Sequence, residues 1–185
     1  MLFIESSRLK LIPLNHQQLL QCHHNRSAFE KSLGLQVSDM IIHPDFRQEM
    51  SEAMQNCWLP NTLAYPELYQ WYTNWEIVLK DNYTAIGGIA FGGYPDDYGE
   101  TSIGYVVDQQ HWGKSYATEA VLTLCTWGFS FSTLKAIGAD TAVGNYASQK
   151  VLLKAGFRKM QTVNSRTYFK LSKRQHTTTK KALFE

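Results

Sequence analysis

The stretch at positions 69–108 constrains the fold most, because it is rich in strand-forming residues. YQWYTNWEIVL is aromatic and β-branched, KDN at 80–82 is a polar turn, and YTAIGGIAFGG is a second strand-like run. After the loop YPDDYG, ETSIGYVVD follows as a third. Period-two alternation in this third strand places four residues on one face: Glu100, Ser102, Gly104 and Val106. The sequence therefore predicts three consecutive antiparallel strands.

The segments before this sheet predict one strand and two helices. IESSRLKLIPL is a strand closed by Pro13, and Asn15 can cap a helix that extends to about Phe29. Pro44 suits the first turn of a second helix, whose apolar residues recur at steps of three and four until Pro60 stops it.

The segments after the sheet predict two helices around a further strand, then a hairpin. A helix spans roughly Tyr116 to Phe131, KAIGADTAV is a strand, and Asn145 opens a helix that Gly156 caps. FRKMQTV and RTYFKL form a last hairpin around the NS pair at 164–165. The order predicts an α/β (α+β) fold with one mixed, mostly antiparallel central sheet flanked by helices.

Length and composition predict one domain. The 185 residues fit a single domain over 1–173, followed by a basic, solvated tail at 174–185 that contains the HTTTKK run. With no long apolar run and no secretory start, we expect a cytoplasmic protein without a membrane segment. A formal charge of +2 is too small to imply a nucleic-acid partner by itself, and none is expected. The three cysteines are far apart, and neither they nor His111 and the His23-His24 pair have metal-like spacing, so no metal is expected.

The GKS triplet within QHWGKSYATEA raises the question of phosphate binding. A nucleotide-binding P-loop needs glycine five residues before its GK pair, and that position is Asp108, which disfavours a nucleotide hydrolase. A strand that ends at Val107 and a helix that begins near Ser115 still leave free backbone N–H groups at a helix N-terminus. A diphosphate fits such a place, with Gly113 easing the turn and Lys114 adding charge, although an ordinary loop has the same pattern.

SIGYVVDQQHWGKSYATEAV resembles the acetyl-CoA motif of the GNAT N-acetyltransferase superfamily, Gln/Arg-x-x-Gly-x-Gly/Ala, at Gln110, Gly113 and Ser115. NYASQKVLLKAGF is similar to the downstream Asn-x-x-Ser element of the branch that includes ribosomal-protein N-terminal acetyltransferases, at Asn145 and Ser148. SRLKLIPL, near the start of the chain, resembles that branch's first strand. The resemblance therefore covers nearly the whole chain, up to about residue 171. Ser115 departs from the pattern, since the family usually has Gly or Ala there.

The resemblance implies a sheet that splays open between the strand ending at Val107 and KAIGADTAV, with acetyl-CoA in the gap. The pyrophosphate is expected on N–H groups from Gly113 to Ala117, and Val106 and Val107 are expected to pair with the pantetheine amides. Lys150 and Lys154 are either ligands of the 3′-phosphate or solvated charges. The expected cofactor-binding residues are Val106, Val107, Gln110, Gly113, Lys114, Ser115, Tyr116, Ala117, Asn145 and Ser148.

Acetyl transfer to an amine needs a neutral nucleophile, a stabilised oxyanion and a proton for the leaving sulfur. Glu100 is the candidate base, with Asp96 and Asp97 as substitutes, and the N–H of Val106 is the candidate oxyanion donor. Ser148 is the candidate acid or hydrogen-bond donor to the sulfur. The alternatives are a solvated strand-end charge for Glu100 and a helix-cap bond for Ser148.

Aromatic residues near the expected site are interpreted mainly as packing. Trp112 is expected to close the core rather than contact the cofactor, and Tyr168 is either an acceptor-site or a core residue. A set on the first central strand can line an acceptor cleft but is more typical of packing: Trp71, Tyr72 and Trp75.

The resemblance implies an acetyl-CoA-dependent N-acetyltransferase that works by direct transfer in a ternary complex. A protein or peptide N-terminus is the first expected acceptor, and a small-molecule amine is the second. The alternative is a non-catalytic acyl-CoA-binding regulatory module on the same fold. A homodimer through the strands after 157 is a further possibility.

Overall fold

The computed structural model describes the backbone of residues 2–184 and the side chains of residues 2–178. In the described residues, two strands and four α-helices precede a central meander of three strands, and three α-helices and three strands follow it. The strands are β1 (Ile4–Glu5), β2 (Leu9–Pro13), β3 (Trp75–Leu79), β4 (Ala85–Phe91), β5 (Glu100–Val107), β6 (Ala136–Ala142), β7 (Arg158–Val163) and β8 (Arg166–Ser172). The α-helices are α1 (His16–His24), α2 (Arg26–Ser32), α3 (Pro44–Ala53), α4 (Leu59–Ala64), α5 (Tyr116–Gly128), α6 (Tyr146–Lys154) and α7 (Lys173–Phe184).

The strands form one eight-stranded sheet in the order β1-β2-β3-β4-β5-β6-β8-β7. All neighbours pair antiparallel except β5 and β6, which confirms the predicted mostly antiparallel sheet. The predicted hairpin β3–β4 is present, but β3 begins only at Trp75 because a 3₁₀-helix occupies Pro66–Trp71. β7 forms one edge of the sheet, and every residue in it is exposed.

β5 and β6 separate after only three paired positions. Glu100, Thr101 and Ser102 face Ala136, Ile137 and Gly138, and beyond these pairs the two strands have no common register. The sheet is therefore splayed between β5 and β6, as the sequence led us to expect.

The larger hydrophobic core lies between the sheet and the helices α5 and α6. Trp71 and Trp75 are buried in it, which confirms packing as their role. Tyr72 is half-buried and stacks on Tyr65 with ring centroids 5.2 Å apart. A second cluster packs the segment after α2 against β2, β3 and β4.

Three predicted boundaries in the first half of the chain are wrong. The first strand is two short strands, β1 and β2. The first helix breaks at Asn25, whose φ of −152° is not helical and whose side chain caps α2 through the N–H of Ala28. Pro60 does not stop the second helix, because a π-helical turn precedes it in which the Leu59 N–H bonds to the Met54 carbonyl.

The predicted ends of α6 and of the last hairpin are confirmed. Gly156, at φ 91°, donates its N–H to Leu153, and Phe157 donates to Leu152, which is a Schellman cap. Asn164 and Ser165 both have positive φ, as a two-residue type I′ turn requires.

The expectation of a solvated end from residue 174 is wrong for its first residues. They continue as helix α7, in which His176 is buried, accepts or donates a 2.9 Å hydrogen bond with Thr126, and packs against Phe129. The domain boundary at residue 173 stays a prediction. Among the described residues, no helix has the length and apolarity needed to cross a membrane.

Candidate active site

A cavity of about 780 Å³ occupies the gap between β5 and β6. The 113–117 turn and the start of α5 close one side of it, and α6 closes another. Eight of the ten expected cofactor-binding residues line it: Val106, Val107, Gly113, Ser115, Tyr116, Ala117, Asn145 and Ser148. The splay therefore brings both sequence motifs to one space.

The 113–117 turn uses left-handed backbone at two positions. Gly113 has φ 78°, and Ser115 has φ 63° and ψ 13° at the N-cap of α5. Ser115 makes no side-chain cap bond to the helix, so the first N–H groups of α5 face the cavity without that partner. The positive end of a 13-residue helix and these N–H groups together suit an anion.

Arg8, in the turn between β1 and β2, holds the 113–117 turn from outside. Its guanidinium donates to the carbonyl of Lys114 at 3.1 Å and lies 4.5 Å from the ring centroid of Tyr116. It also donates to Glu119 in the first turn of α5, with Nε to Oε2 at 2.7 Å. Partial burial opposes ionisation of Glu119, but hydrogen bonds from the Arg8 backbone, Ser6 and the Arg8 side chain lower the pKa of its carboxyl.

Asp108 occupies the position at which a P-loop has its first glycine, and it is buried. Its carboxylate accepts from the N–H groups of Ile41 and Gln110 and contacts Nδ1 of His111 at 3.3 Å. This carboxylate thus organises the loop after β5. His111, to which the sequence assigned no chemistry, is one of the cavity-lining residues.

Trp112 is half-exposed and lines the cavity instead of closing the core. Its indole Nε1–H donates to the carbonyl of Val107 at 2.7 Å, which fixes the loop to the end of β5. The expectation that Trp112 closes the hydrophobic core is therefore wrong.

The register of β4 and β5 decides which backbone groups face the gap. Gly92 donates to Ser102, and Asp108 donates to Ile86, so the even-numbered residues of β5 bond to β4. Val106 therefore directs its N–H and C=O toward β4. Its predicted roles as oxyanion donor and pantetheine partner are wrong for this reason, and Tyr105 and Val107 present their backbone to the gap instead.

Ser148 lies in the first turn of α6, where Asn145 caps the helix. Asn145 Oδ1 accepts from the Ser148 N–H at 3.0 Å, so the predicted capping role of Asn145 is confirmed. The Ser148 hydroxyl is 2.8 Å from the hydroxyl of Tyr105 on β5. Burial raises the pKa of Tyr105 to about 12, against a smaller opposing effect of this hydrogen bond.

Glu100, Gln110 and Lys114 are not among the residues that line the cavity. Glu100 is at the paired start of β5 and forms an ion pair with Lys170 at 2.5 Å, which is the solvated strand-end arrangement. Gln110 donates from Nε2 to the carbonyl of Asp39, and the backbone carbonyl of Lys114 accepts a hydrogen bond from Arg8. The geometry therefore does not support Glu100 as the base.

Two walls of the cavity were missed from the sequence. The first consists of residues on and just before α3, a helix that the sequence showed to be amphipathic but did not connect with the site: His43, Asp45, Phe46 and Glu49. No residue of α3 is buried, and its half-exposed Phe46 faces the cavity rather than a core. Asp140 on β6 and Arg166 on β8 form an ion pair on the opposite wall.

Among the described residues, no group of three or more His, Cys, Asp or Glu side chains could hold a metal ion. The positive charges of the cavity wall include Lys150 and Lys154 on α6, the two lysines that the sequence suggested for a phosphate.

Comparison with known proteins identifies the class. Residues 11–158 match the family model described as acetyltransferase (GNAT) domain. The N-acetyltransferase YjdG of Bacillus subtilis (strain 168) is 30% identical over 157 residues, which cover 85% of this chain and 90% of that protein. The chain belongs to the GNAT acetyltransferase family and is an acetyl-CoA-dependent N-acetyltransferase.

Solved structures with the same fold differ in what their descriptions say they act on. FdhC, described as a nucleotide-linked sugar GNAT, has a TM-score of 0.68 at 16% identity, covering 99% of this chain and 97% of its own. RimL, described as a ribosomal L7/L12 alpha-N-protein acetyltransferase and solved in complex with coenzyme A, has a TM-score of 0.60 at 16% identity. That alignment covers 92% of this chain and 98% of RimL. At these identities the likeness establishes the fold alone.

Proposed function

We propose that this protein transfers the acetyl group of acetyl-CoA directly to the α-amino group of a peptide or protein within a ternary complex. The observation that supports it most is the splay of β5 from β6 beside the 113–117 turn. It makes one cavity wide enough for a thioester and an amine to meet, so no covalent enzyme intermediate is needed.

The residues present fit acetyl-CoA. The free N–H groups from Gly113 to Ala117 suit its pyrophosphate, and Lys150 and Lys154 on α6 suit its other phosphate. Tyr105 and Val107 offer backbone N–H groups along the open edge of β5, where an extended amide chain could pair and an oxyanion could be stabilised. Ser148 would donate a hydrogen bond to the sulfur.

We assign the general base to Glu49, acting through a water molecule. The carboxylates among the described residues of the cavity wall are Asp45, Glu49 and Asp140. Asp140 is engaged by Arg166, and Asp45 lies 3.4 Å from Nδ1 of His43. An α-amino group, with a pKa of about 8, needs only modest help from such a base, which favours an N-terminus over a lysine.

The acceptor assignment draws on RimL, whose description says that it acts on a ribosomal protein N-terminus. A small-molecule acceptor is the second candidate, because the higher TM-score belongs to FdhC, described as a sugar enzyme.

Calorimetric titration with acetyl-CoA, and with ATP for comparison, tests the cofactor site first. Saturable binding of acetyl-CoA in preference to ATP is expected. Preference for ATP, or no binding of acetyl-CoA, would overturn the proposal.

The acceptor is then tested with short peptides that begin with Ala, Ser or Met, with mass spectrometry to locate the acetyl group. The matched control is each peptide with its α-amino group already acetylated, which must not react. Acetylation of a polyamine or amino sugar alone would establish the second candidate. Binding of acetyl-CoA without turnover on any amine would favour the non-catalytic module.

A further inference from the structure

We propose that Tyr105 is a positioning residue that turns the hydroxyl of Ser148 toward the sulfur of bound coenzyme A. The inference rests on the proposed function, because it assumes that Ser148 faces the thioester. It concerns a contact between β5 and α6, the two elements that flank the gap.

The Tyr105 hydroxyl has two acceptors within reach but only one hydrogen. Its oxygen lies 2.8 Å from Oγ of Ser148 and 3.2 Å from the backbone carbonyl of the same residue. Two arrangements of hydrogens therefore fit the same heavy atoms. In the first, Ser148 donates to Tyr105 and Tyr105 donates to the Ser148 carbonyl. In the second, Tyr105 donates to Ser148 Oγ, which frees the serine hydrogen for another acceptor.

Both residues are held so that only the hydrogens need to move. Ser148 is fixed at the start of α6 by the cap bond from its N–H to Asn145. Tyr105 is fixed in β5 by its pairing with Ile89 on β4, and its ring packs against the main core. Both side chains line the cavity in the gap.

A negative sulfur in the cavity selects the second arrangement. The serine hydrogen then points to the sulfur, and the tyrosine hydrogen stabilises the serine oxygen, so each bond strengthens the other. Burial raises the pKa of Tyr105 to about 12, so its hydroxyl stays protonated at neutral pH and acts as a donor. Neither hydroxyl loses its proton. When the C–S bond breaks, the electron pair stays on sulfur, and the proton lost by the amine reaches the sulfur through solvent.

The pKa of the thiol of bound coenzyme A measures this effect without any acceptor. Thiolate absorbance in the ultraviolet is followed against pH for complexes of coenzyme A with four proteins: the unchanged chain, Ser148→Ala, Tyr105→Phe and the double variant. We expect Ser148→Ala to raise the thiol pKa by about one unit, since a hydrogen bond to a charged group is lost. Tyr105→Phe should raise it less, and should add nothing when Ser148 is already alanine.

The charged groups that line the cavity are the same in all four proteins, so the comparison isolates the two hydroxyls. They include His43, Asp45, Glu49, Asp140, Lys150 and Arg166. Tyr146→Phe is the matched control, because it removes a hydroxyl from the same helix at a residue that is 67% exposed. It should leave the thiol pKa unchanged.

The results for Tyr105→Phe separate this proposal from the proposal of acetyl transfer. An unchanged thiol pKa in Tyr105→Phe, or a Tyr105→Phe shift that persists in full without the serine hydroxyl, overturns the relay but leaves the acetyl-transfer proposal standing. No binding of coenzyme A to the unchanged chain overturns both. The affinity for coenzyme A and the thermal unfolding of each variant show whether the fold is retained. If Tyr105→Phe unfolds, 3-fluorotyrosine at position 105 replaces it, and a thiol pKa unaffected by the more acidic donor then overturns the relay.

Discussion

Ser115 has the least favourable backbone in the turn that faces the cavity. Its φ of 63° is in the left-handed region, where a side chain costs free energy that glycine avoids. The family pattern has Gly or Ala at this position. The left-handed conformation of Ser115 lies at the N-cap of α5, beside the cavity in the gap.

Ser115→Gly should raise the free energy of unfolding by about 0.5 kcal/mol, since relief of the left-handed penalty exceeds the entropy that glycine adds to the unfolded chain. Urea denaturation measures it. Ser165→Gly is the matched control, because Ser165 has nearly the same φ of 62° in the β7–β8 turn and does not line the cavity. Both variants should gain stability, but only Ser115→Gly should change the affinity for acetyl-CoA. Loss of stability in Ser115→Gly would mean that its side chain makes a contact that offsets the strain.

Replacing Glu49 and replacing Glu100 should have different effects on the pH dependence of the rate. Glu49→Gln should lower kcat/KM about 100-fold at pH 6, where the amine is mostly protonated, and less at pH 9. Glu100→Gln should leave the pH–rate profile unchanged, since Glu100 pairs with Lys170 outside the cavity. The reverse result would restore Glu100 as the base.

At the scale of elements, the hairpin β1–β2 holds the N-terminus of α5 through Arg8 and Glu119. Glu119 accepts from the Arg8 backbone and from Ser6 as well as from the guanidinium. The contact joins residues 111 positions apart in the chain. It links the first segment of the sequence to the turn that faces the cavity.

Arg8→Ala should weaken acetyl-CoA binding about fivefold, because the Lys114 carbonyl loses the donor that orders the turn. Isothermal titration measures the affinity, and Lys10→Ala on β2 is the control, since Lys10 contacts Phe3 instead. Equal affinities for both variants would show that the turn orders itself without Arg8.

The Glu119 carboxyl also predicts a pH dependence of stability. Its pKa is lowered in the folded protein, so its contribution is present above the unfolded value of about 4.3 and is lost as the pH falls through the folded value. The difference in unfolding free energy between the unchanged chain and Glu119→Gln should therefore be largest near neutral pH and shrink below about pH 4. A difference that grows on acidification would contradict the contact.

At the scale of the whole molecule, one arginine joins the N-terminal helices to the sheet. Arg26 on α2 bridges two buried carboxylates, Glu30 at 3.0 Å and Glu76 on β3 at 2.7 Å. Asn74 and Ser38 satisfy further oxygens of the same carboxylates. These contacts form only while α2, β3 and the segment at Ser38 are assembled.

Arg26→Ala should lower the free energy of unfolding by about 3 kcal/mol, because it leaves two buried carboxylates without a counter-charge. This loss is at the low end of the range for breaking a buried ion pair, since the Arg26 side chain is partly exposed. Urea denaturation measures the loss. Arg158→Ala, on the exposed edge strand β7, should change it by less than about 0.5 kcal/mol. A loss for Arg26→Ala no larger than the control would show that solvent screens the network.

Local chemistry determined much of this protein from the sequence. The period-two run of β5, the caps at Asn15, Asn145 and Gly156, and the Asn164-Ser165 turn depend on neighbouring residues, so short-range pattern specifies them. The two motifs around Gly113 and Ser148 were likewise recognisable from residues close together in the chain.

The tertiary structure alone decided which residues meet at the cavity. A strand can hydrogen-bond to its neighbour through its even-numbered or its odd-numbered residues, and the alternation of its side chains is the same in both cases. Only the register of β4 on β5 therefore shows that Val106 directs its backbone groups away from the gap. Only the tertiary structure shows that Phe46 and Glu49 on α3 line the cavity. The contacts of Arg8 with Glu119 and of Tyr105 with Ser148 join distant segments. No local pattern records such contacts, since they depend on how the whole chain closes.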